Sequence, residues 1–451
     1  MIAILFILVF LTQHIDMYQV FAIGSFGVIP NTIICGILYI SFVFVLIFGN
    51  MKFSLPRPVP YSMKCFFIVL IGILLSGLYP LFWGNSLVIV QYFKTSLHFY
   101  FLVFFTFLCF FYPISFKTWN TAIKIWLVIS IFVNIFGIYQ IVARAFDLPF
   151  AWLKLNNVSL MSRDTLQLDS FKQLSLQFQN FFRATSFFSE PSYLAIFNGF
   201  TLIFLVVPYV QSRSAFLRSK FLTRLTFISS ITAMFLTFSL TGLLAVLIII
   251  LLIILIERRE YIKKIFGLIL IAMCFIVVTD SIVSSKLDTS VLSLFEERIS
   301  GIISGGTKRH KQISGESFTT RVNLANESFK LWKKSPLFGV GLGTHQYHHD
   351  TENTFGGYSA LVALGEGGVI SFIGFCGMFF FLFYDSYKLK KRTENLEDNI
   401  GVRLQGLIIY IMAVLFGINF FTTNSFVTPA LWHTLGLCFS ILYISRPSSS
   451  V

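Results

Sequence analysis

Apolar residues run through this chain in blocks of spanning length, not in the short alternations of a soluble fold. "NTIICGILYISFVFVLIF" from Asn31 and "TGLLAVLIIILLIILI" ending at Ile256 are the clearest. Each is long enough to cross a hydrocarbon layer of roughly 30 Å as a helix, the form in which peptide groups satisfy one another away from water. The pattern predicts about twelve such helices, near 1 to 14, 29 to 48, 65 to 83, 96 to 112, 122 to 143, 191 to 210, 225 to 239, 241 to 256, 265 to 281, 358 to 385, 403 to 421 and 428 to 445. The seventh and eighth form one continuous block. Their flanks, "RSKFLTR" and "ERREYIKK", belong on one side of a bilayer, so the chain is expected to turn back near Ser239 to Gly242. "MIAILFILVFL" at the N-terminus lacks the basic region and small-residue cleavage site of a signal peptide and reads as an uncleaved first span.

The predicted fold class is all-α: a polytopic integral membrane protein with a large extracytoplasmic loop. Positive charge orients it. Lys52, Arg57, Lys64, Lys117, Lys124, Arg213 to Arg224, Arg258 to Lys264 and "KLKKR" all fall on one face, which the positive-inside rule makes cytoplasmic, with both termini inside. Two longer loops then face outward, 144–190 and 282–357. The expected organisation is an N-terminal bundle over 1–281 with the smaller outer loop, the large loop over 282–357, and C-terminal spans over 358–451. Within "TTRVNLANESFKLWKKSP", Val322, Ala325, Phe329 and Trp332 recur at helical spacing and Pro336 stops the run, which predicts an amphipathic interfacial helix.

Composition agrees with a membrane protein: 56% hydrophobic and 12% charged residues, with a mean hydropathy of +0.80, are far outside the soluble range. The net charge of +14 does not argue for nucleic acid, because the lysines and arginines sit in short loops beside spans. The six cysteines lie within apolar segments without metal-ligand spacing, so neither disulfides nor a zinc site is expected.

Candidate chemistry concentrates at the outer rim. "FRATSFFSEPSYLAIF" (182–197) carries Arg183 and Glu190 just before a span. Pro191 suits a first helical turn and places Glu190 at or beside the N-cap. The ordinary reading is a helix cap and an interfacial arginine; the functional reading is a site, since ionisable groups at membrane helices often are one. Arg321 stands in the first turn of the amphipathic helix, where a cation opposes the helix dipole and free amides attract anions. A solvated arginine facing lipid headgroups is its ordinary reading. His310, His345, His348 and His349 share the large loop, and "HQYHHDTE" supports a metal site with Asp350 and Glu352, a solvated loop, or a catalytic base. "GVGLGT" (339–344) follows a Ser-Pro break instead of a strand, and in "GIISGGTK" (301–308) an extra Thr307 parts glycine from lysine. Neither is a nucleotide motif in its required context.

Taken in order, "RATSFFSEPSYLA", "SLTGLLAVLIIIL", "RVNLANESFKLWKKSPLFGVGLGT" and "LVALGEGGVISFIG" resemble the O-antigen polymerase and ligase superfamily, Wzy-type polymerases in particular, over roughly residues 180 to 380. The resemblance implies a glycosyltransferase at the outer face of the bacterial cytoplasmic membrane. It would join oligosaccharide repeat units carried on undecaprenyl diphosphate, with membrane lipid and a chain-length regulator as further partners, no nucleic acid, and neither cofactor nor metal. It implies that Arg183 and Arg321 hold the diphosphate, a task suited to a planar, permanently charged fork. Ligase-type members carry a histidine just before the stretch matched by "GGYSALVALGEGG", where this chain has Gly356, Gly357 or Tyr358. The acceptor's base therefore stays open among Glu190, His345, His348 and His349. Transfer of finished glycan by a ligase is the near alternative. A flippase of the same lipid-linked sugars is the distant one, which would place charge along a path through the membrane, with Lys94 and His98 as its candidates.

Overall fold

The computed structural model describes residues 2–24, 26–48, 59–112, 114–161, 173, 175, 177–178, 180–257, 259–303, 316–348 and 358–445. The fold is all-α. Its first half holds α1 (Ile2–Thr12), α2 (Pro30–Phe48), α3 (Tyr61–Leu75), α4 (Leu78–Trp83), α5 (Ser86–Phe111), α6 (Phe116–Ala145), α7 (Val158–Met161) and α8 (Pro191–Val210). The second half holds α9 (Lys220–Leu236), α10 (Leu240–Ile256), α11 (Arg259–Leu287), α12 (Val291–Ile303), α13 (Glu316–Lys334), α14 (Ser359–Gly365), α15 (Gly368–Thr393), α16 (Ile400–Phe421) and α17 (Pro429–Ile444). Two small antiparallel hairpins interrupt them: β1 (Phe21–Ile23) with β2 (Phe26–Val28), and β3 (Gln177–Phe178) with β4 (Phe181–Phe182).

A helix lies in each of the twelve predicted segments. Among the described residues, eight stretches are long and apolar enough to cross a membrane: α2, α3 with α4, α5, α6, α8, α11, α15 and α16. Shorter apolar helices are α1, α10 and α17. The chain is a multi-pass membrane protein. Its boundaries follow local signals. α5 starts earlier than its hydropathy suggests because the Asn85 side chain accepts the Val88 N–H at 3.1 Å and caps the helix. α9 and α10 are separated at Thr237–Ser239, where Phe238 takes a left-handed φ of +49° and closes α9.

Small residues let the helices approach. A Cβ on Gly72 of α3 would meet the Ser371 main-chain N of α15 at 2.7 Å, and one on Gly374 of α15 would meet that of Val69 at 2.8 Å, so the two helices touch backbone to backbone. Polar side chains join the inner helices: Trp126 of α6 donates to Thr201 of α8 (2.9 Å), and Asn134 of α6 to Ser230 of α9 (3.0 Å). α8 is the centre of the bundle, 89% of its spanning window being buried, whereas α11, at 6%, runs along the margin.

The two ends differ in kind. At one, two of the loops predicted to lie inside meet: Arg213 donates to the carbonyls of Thr393, Glu394 and Leu396, and Ser214 to Asp398. Glu257, at the C-terminus of α10, is buried there with Lys390 (3.2 Å), the Tyr410 hydroxyl (2.5 Å) and the Gln211 amide (2.9 Å), fastening α8, α10, α15 and α16. The two predicted outer loops meet at the other end, where the Asn180 amide donates to the Leu287 carbonyl at 3.2 Å.

Candidate functional site

The segment bearing Arg183 is irregular backbone beside spanning helices, so its peptide groups need partners there. α6 supplies them from Gln140 and Arg144, one turn apart and both buried. Gln140 Oε1 accepts from the Ser186 N–H (2.7 Å) and the Thr185 hydroxyl (3.1 Å), and its amide donates to Gln173 Oε1 (3.0 Å). Gln173 in turn donates to the carbonyls of Ser186 (2.6 Å) and Phe188 (2.8 Å). The Arg144 guanidinium donates to the carbonyls of Ala151 (2.9 Å) and Arg183 (2.5 Å), to Gln173 Oε1 (3.0 Å) and to the Thr185 hydroxyl (2.7 Å), and lies 4.2 Å from the Trp152 ring. Ser186 is held at φ +55°, with its hydroxyl on the Val133 carbonyl at 2.6 Å. This scaffold fixes the direction in which Arg183 leaves the chain.

Arg183 points to the turn between α9 and α10. The last carbonyls of a helix lack intrahelical partners, and here three in a row are met from outside. Leu236 O accepts the Ala184 N–H (2.9 Å), Thr237 O accepts Arg183 Nε (2.8 Å), and Phe238 O accepts Arg298 Nη1 (2.7 Å). Arg298 comes from α12. Asp280 seats that helix by accepting from the Ser290 hydroxyl (2.9 Å) and the Leu292 N–H (3.0 Å), and Phe295 packs on Phe235 and Phe238.

Glu190 is the N-cap residue of α8, followed by Pro191, as expected. Its carboxylate does not cap the helix amides; Oε2 accepts the Ser192 hydroxyl at 2.9 Å. It stands beside Asp16, from the loop after α1, whose carboxylate takes the Ser189 hydroxyl at 2.6 Å. Burial raises the Asp16 carboxyl to about 6, the Ser189 hydrogen bond opposing and the Glu190 charge adding to the shift.

His345 lies apart from this cluster in sequence, in the turn after the glycine motif. Gly339, Gly341 and Gly343 all have positive φ, and a Cβ at Gly339 would meet the Glu366 carbonyl oxygen at 2.2 Å. The motif thus folds onto the α14–α15 corner. There buried Glu366 accepts the Gly343 N–H (2.6 Å) and contacts His345 Nδ1 (2.6 Å). His348 packs edge-on to Tyr79 at 5.5 Å. His349 lies outside the described residues. Arg321 is on α13, which begins at Glu316, so it stands in the second turn instead of the expected first; its side chain lies outside the described residues. The predicted amphipathic helix is α13, and it has two apolar faces: Leu331 is buried, with Ser328 close against Gly365 of α14, whereas Val322 and Phe329 are exposed. Lys94 is exposed and His98 lies against Phe26 of the first hairpin (4.9 Å), both in the first half of α5.

The structure therefore brings Arg183 together with Arg298, and Glu190 with Asp16. Sequence reasoning named neither Arg298 nor Asp16, nor Arg144 or Glu366. A signal existed for Arg298: Val291, Leu294 and Phe295 share a helical face with it, turned toward α9.

These features define a class, a multi-pass helical membrane protein with two arginines on its α9–α10 turn and two carboxylates at the start of α8. Residues 225–361 match the family model of O-antigen ligase. The match runs from α9 to the start of α14 and is consistent with the O-antigen polymerase and ligase superfamily. No curated protein matches the chain.

Proposed function

We propose that the protein is a glycosyltransferase of the bacterial cytoplasmic membrane that polymerises undecaprenyl-diphosphate-linked oligosaccharide repeat units into O-antigen or capsular polysaccharide. Both termini are cytoplasmic in this reading, and the site lies outside, where the 1–281 bundle meets the 282–357 loop. The observation that carries it is the anchoring of Arg183 on the α9–α10 turn, within the residues that match the O-antigen ligase model, its backbone clamped by Arg144.

The acceptor hydroxyl attacks the anomeric carbon of the donor, the bond from that carbon to the phosphate oxygen breaks, and polyprenyl diphosphate leaves as an anion. Arg183 meets the charge that develops on the leaving group, with Arg321 assigned to the same task by resemblance. The hydroxyl proton goes to a base at the rim. His345 suits the role because Glu366 orients its ring and would offset the imidazolium charge; Glu190, paired with Asp16, is the carboxylate counterpart. The exposed apolar face of α13, with Phe329, would lie along the polyprenyl chain.

Transport fits the polar residues less well. Lys94 and His98 sit toward the end of α5 that neighbours the first hairpin, and Phe26 covers His98. The test is reconstitution in liposomes with lipid-linked repeat units. A ladder of longer glycans supports polymerisation, a single transfer of finished glycan onto another lipid identifies a ligase, and movement of donor across the bilayer without extension overturns the reading.

A further inference from the structure

We propose that Arg298 of α12 is a further cation of the diphosphate site, gripping the diphosphate beside Arg183. The proposal rests on the function read above and adds a residue to its donor site.

Three observations support it. Arg183 and Arg298 arrive from separate segments and end on consecutive carbonyl oxygens, those of Thr237 and Phe238, at 2.8 and 2.7 Å. The two linked anionic groups of a diphosphate match two planar forks held on adjoining carbonyls. The second observation is the orientation of α12. Its acids Glu296 and Glu297 are exposed, whereas Arg298 shares the face of buried Val291, Leu294 and Phe295 and lies 5.0 Å from the Phe238 ring. Third, α10 begins two residues after Phe238, and the Ser239 side chain makes no capping bond to its first turn, so the positive end of that helix dipole adds to the same field.

The plainer role for Arg298 is to cap the C-terminus of α9, where a cation is favourable in any case. A cap asks only for positive charge and acts on stability. A diphosphate site asks for the fork and acts on the preference for two phosphates over one.

The experiment uses the full-length protein in nanodiscs, with undecaprenyl diphosphate and undecaprenyl monophosphate as probes. Wild-type protein should bind the diphosphate more tightly. Arg298→Ala should weaken diphosphate binding about ten- to hundredfold and monophosphate binding much less. Arg298→Lys, which keeps the α9 cap, should lose most of the same preference, so the outcome does not depend on Arg298→Ala folding. Glu297→Ala, on the exposed side of α12, serves as the control and should leave both affinities unchanged. If Arg298→Lys keeps the wild-type preference while Arg183→Lys loses it, Arg298 is only a cap and the proposal fails. If wild-type protein binds neither lipid, the reading of the site itself fails with it.

Discussion

The guanidinium of Arg144 donates to the main-chain carbonyl of Arg183 at 2.5 Å, while the side chain of Arg183 donates onward to Thr237. Arg144 is buried and Arg183 half-buried, and the first decides where the second, proposed to meet the diphosphate, points. Arg144→Ala removes four hydrogen bonds from one guanidinium and should destabilise the protein by about 2–4 kcal/mol. Arg144→Lys should recover little, because an ammonium cannot reach four acceptors set around a planar fork. Thermal unfolding in detergent, read beside transfer activity, checks both.

Arg183→Ala should fold normally and lose transfer. A donor that stabilises a leaving diphosphate is worth about 2–4 kcal/mol in the transition state, or roughly thirtyfold to several hundredfold in rate. Arg183→Lys should also be strongly impaired. Single-turnover rates with saturating donor separate this loss from weaker binding.

The Glu257 cluster at the opposite end predicts a stability effect without a catalytic one. Glu257→Ala strands Lys390, which is 5% exposed, and should cost about 3–5 kcal/mol. The double substitution Glu257→Gln with Lys390→Met should be markedly less harmful, since it leaves no buried charge behind. A double-mutant cycle on melting temperature measures the difference.

Much of this architecture was legible from hydropathy: each predicted segment contains a helix, because lipid forces spanning backbone into that form. Two of the stretches grouped by charge do meet at one end, where Arg213 donates to the carbonyls of Thr393, Glu394 and Leu396 and Lys264 donates to the Ser212 hydroxyl. Glu190 at an N-cap was legible too, from Pro191 alone. What the sequence hid was partnership. Asp16 looks like a lone acid after the first span, and nothing local connects it with Ser189. Arg298 sits in a stretch read only as loop, and its place depends on α12 docking on α9. The glycine motif looked like a failed nucleotide fingerprint; its positive-φ positions instead bring His345 to Glu366.

Asp16 makes stability depend on pH in a definite direction. Its carboxyl rises from 3.8 in the unfolded chain to about 6 in the fold, so the native state holds the proton more tightly and stability falls as pH rises from about 4 to about 6. The facing titratable group is Glu190, from the start of α8, whose charge adds to the effect. Asp16→Asn should flatten this slope and, relative to wild type, gain on the order of 1–2 kcal/mol between pH 4 and pH 7. Melting temperatures of the two proteins across that range test it; parallel curves would contradict it.

Glu366→Gln should preserve the hydrogen bond from the Gly343 N–H and hence the loop, yet remove the negative charge facing His345. Transfer should slow by about ten- to hundredfold in kcat with little change in KM. A larger effect on KM would assign the pair to acceptor binding.

The central claim is that guanidinium groups on the α9–α10 turn hold the leaving diphosphate during glycosyl transfer. The most direct measurement follows release of undecaprenyl diphosphate together with glycan extension in proteoliposomes, for wild type, Arg183→Ala and Arg183→Lys. Release and extension should appear in equal amounts for wild type and fall together, by at least about thirtyfold, in both variants. Undiminished extension by Arg183→Ala protein would contradict the account.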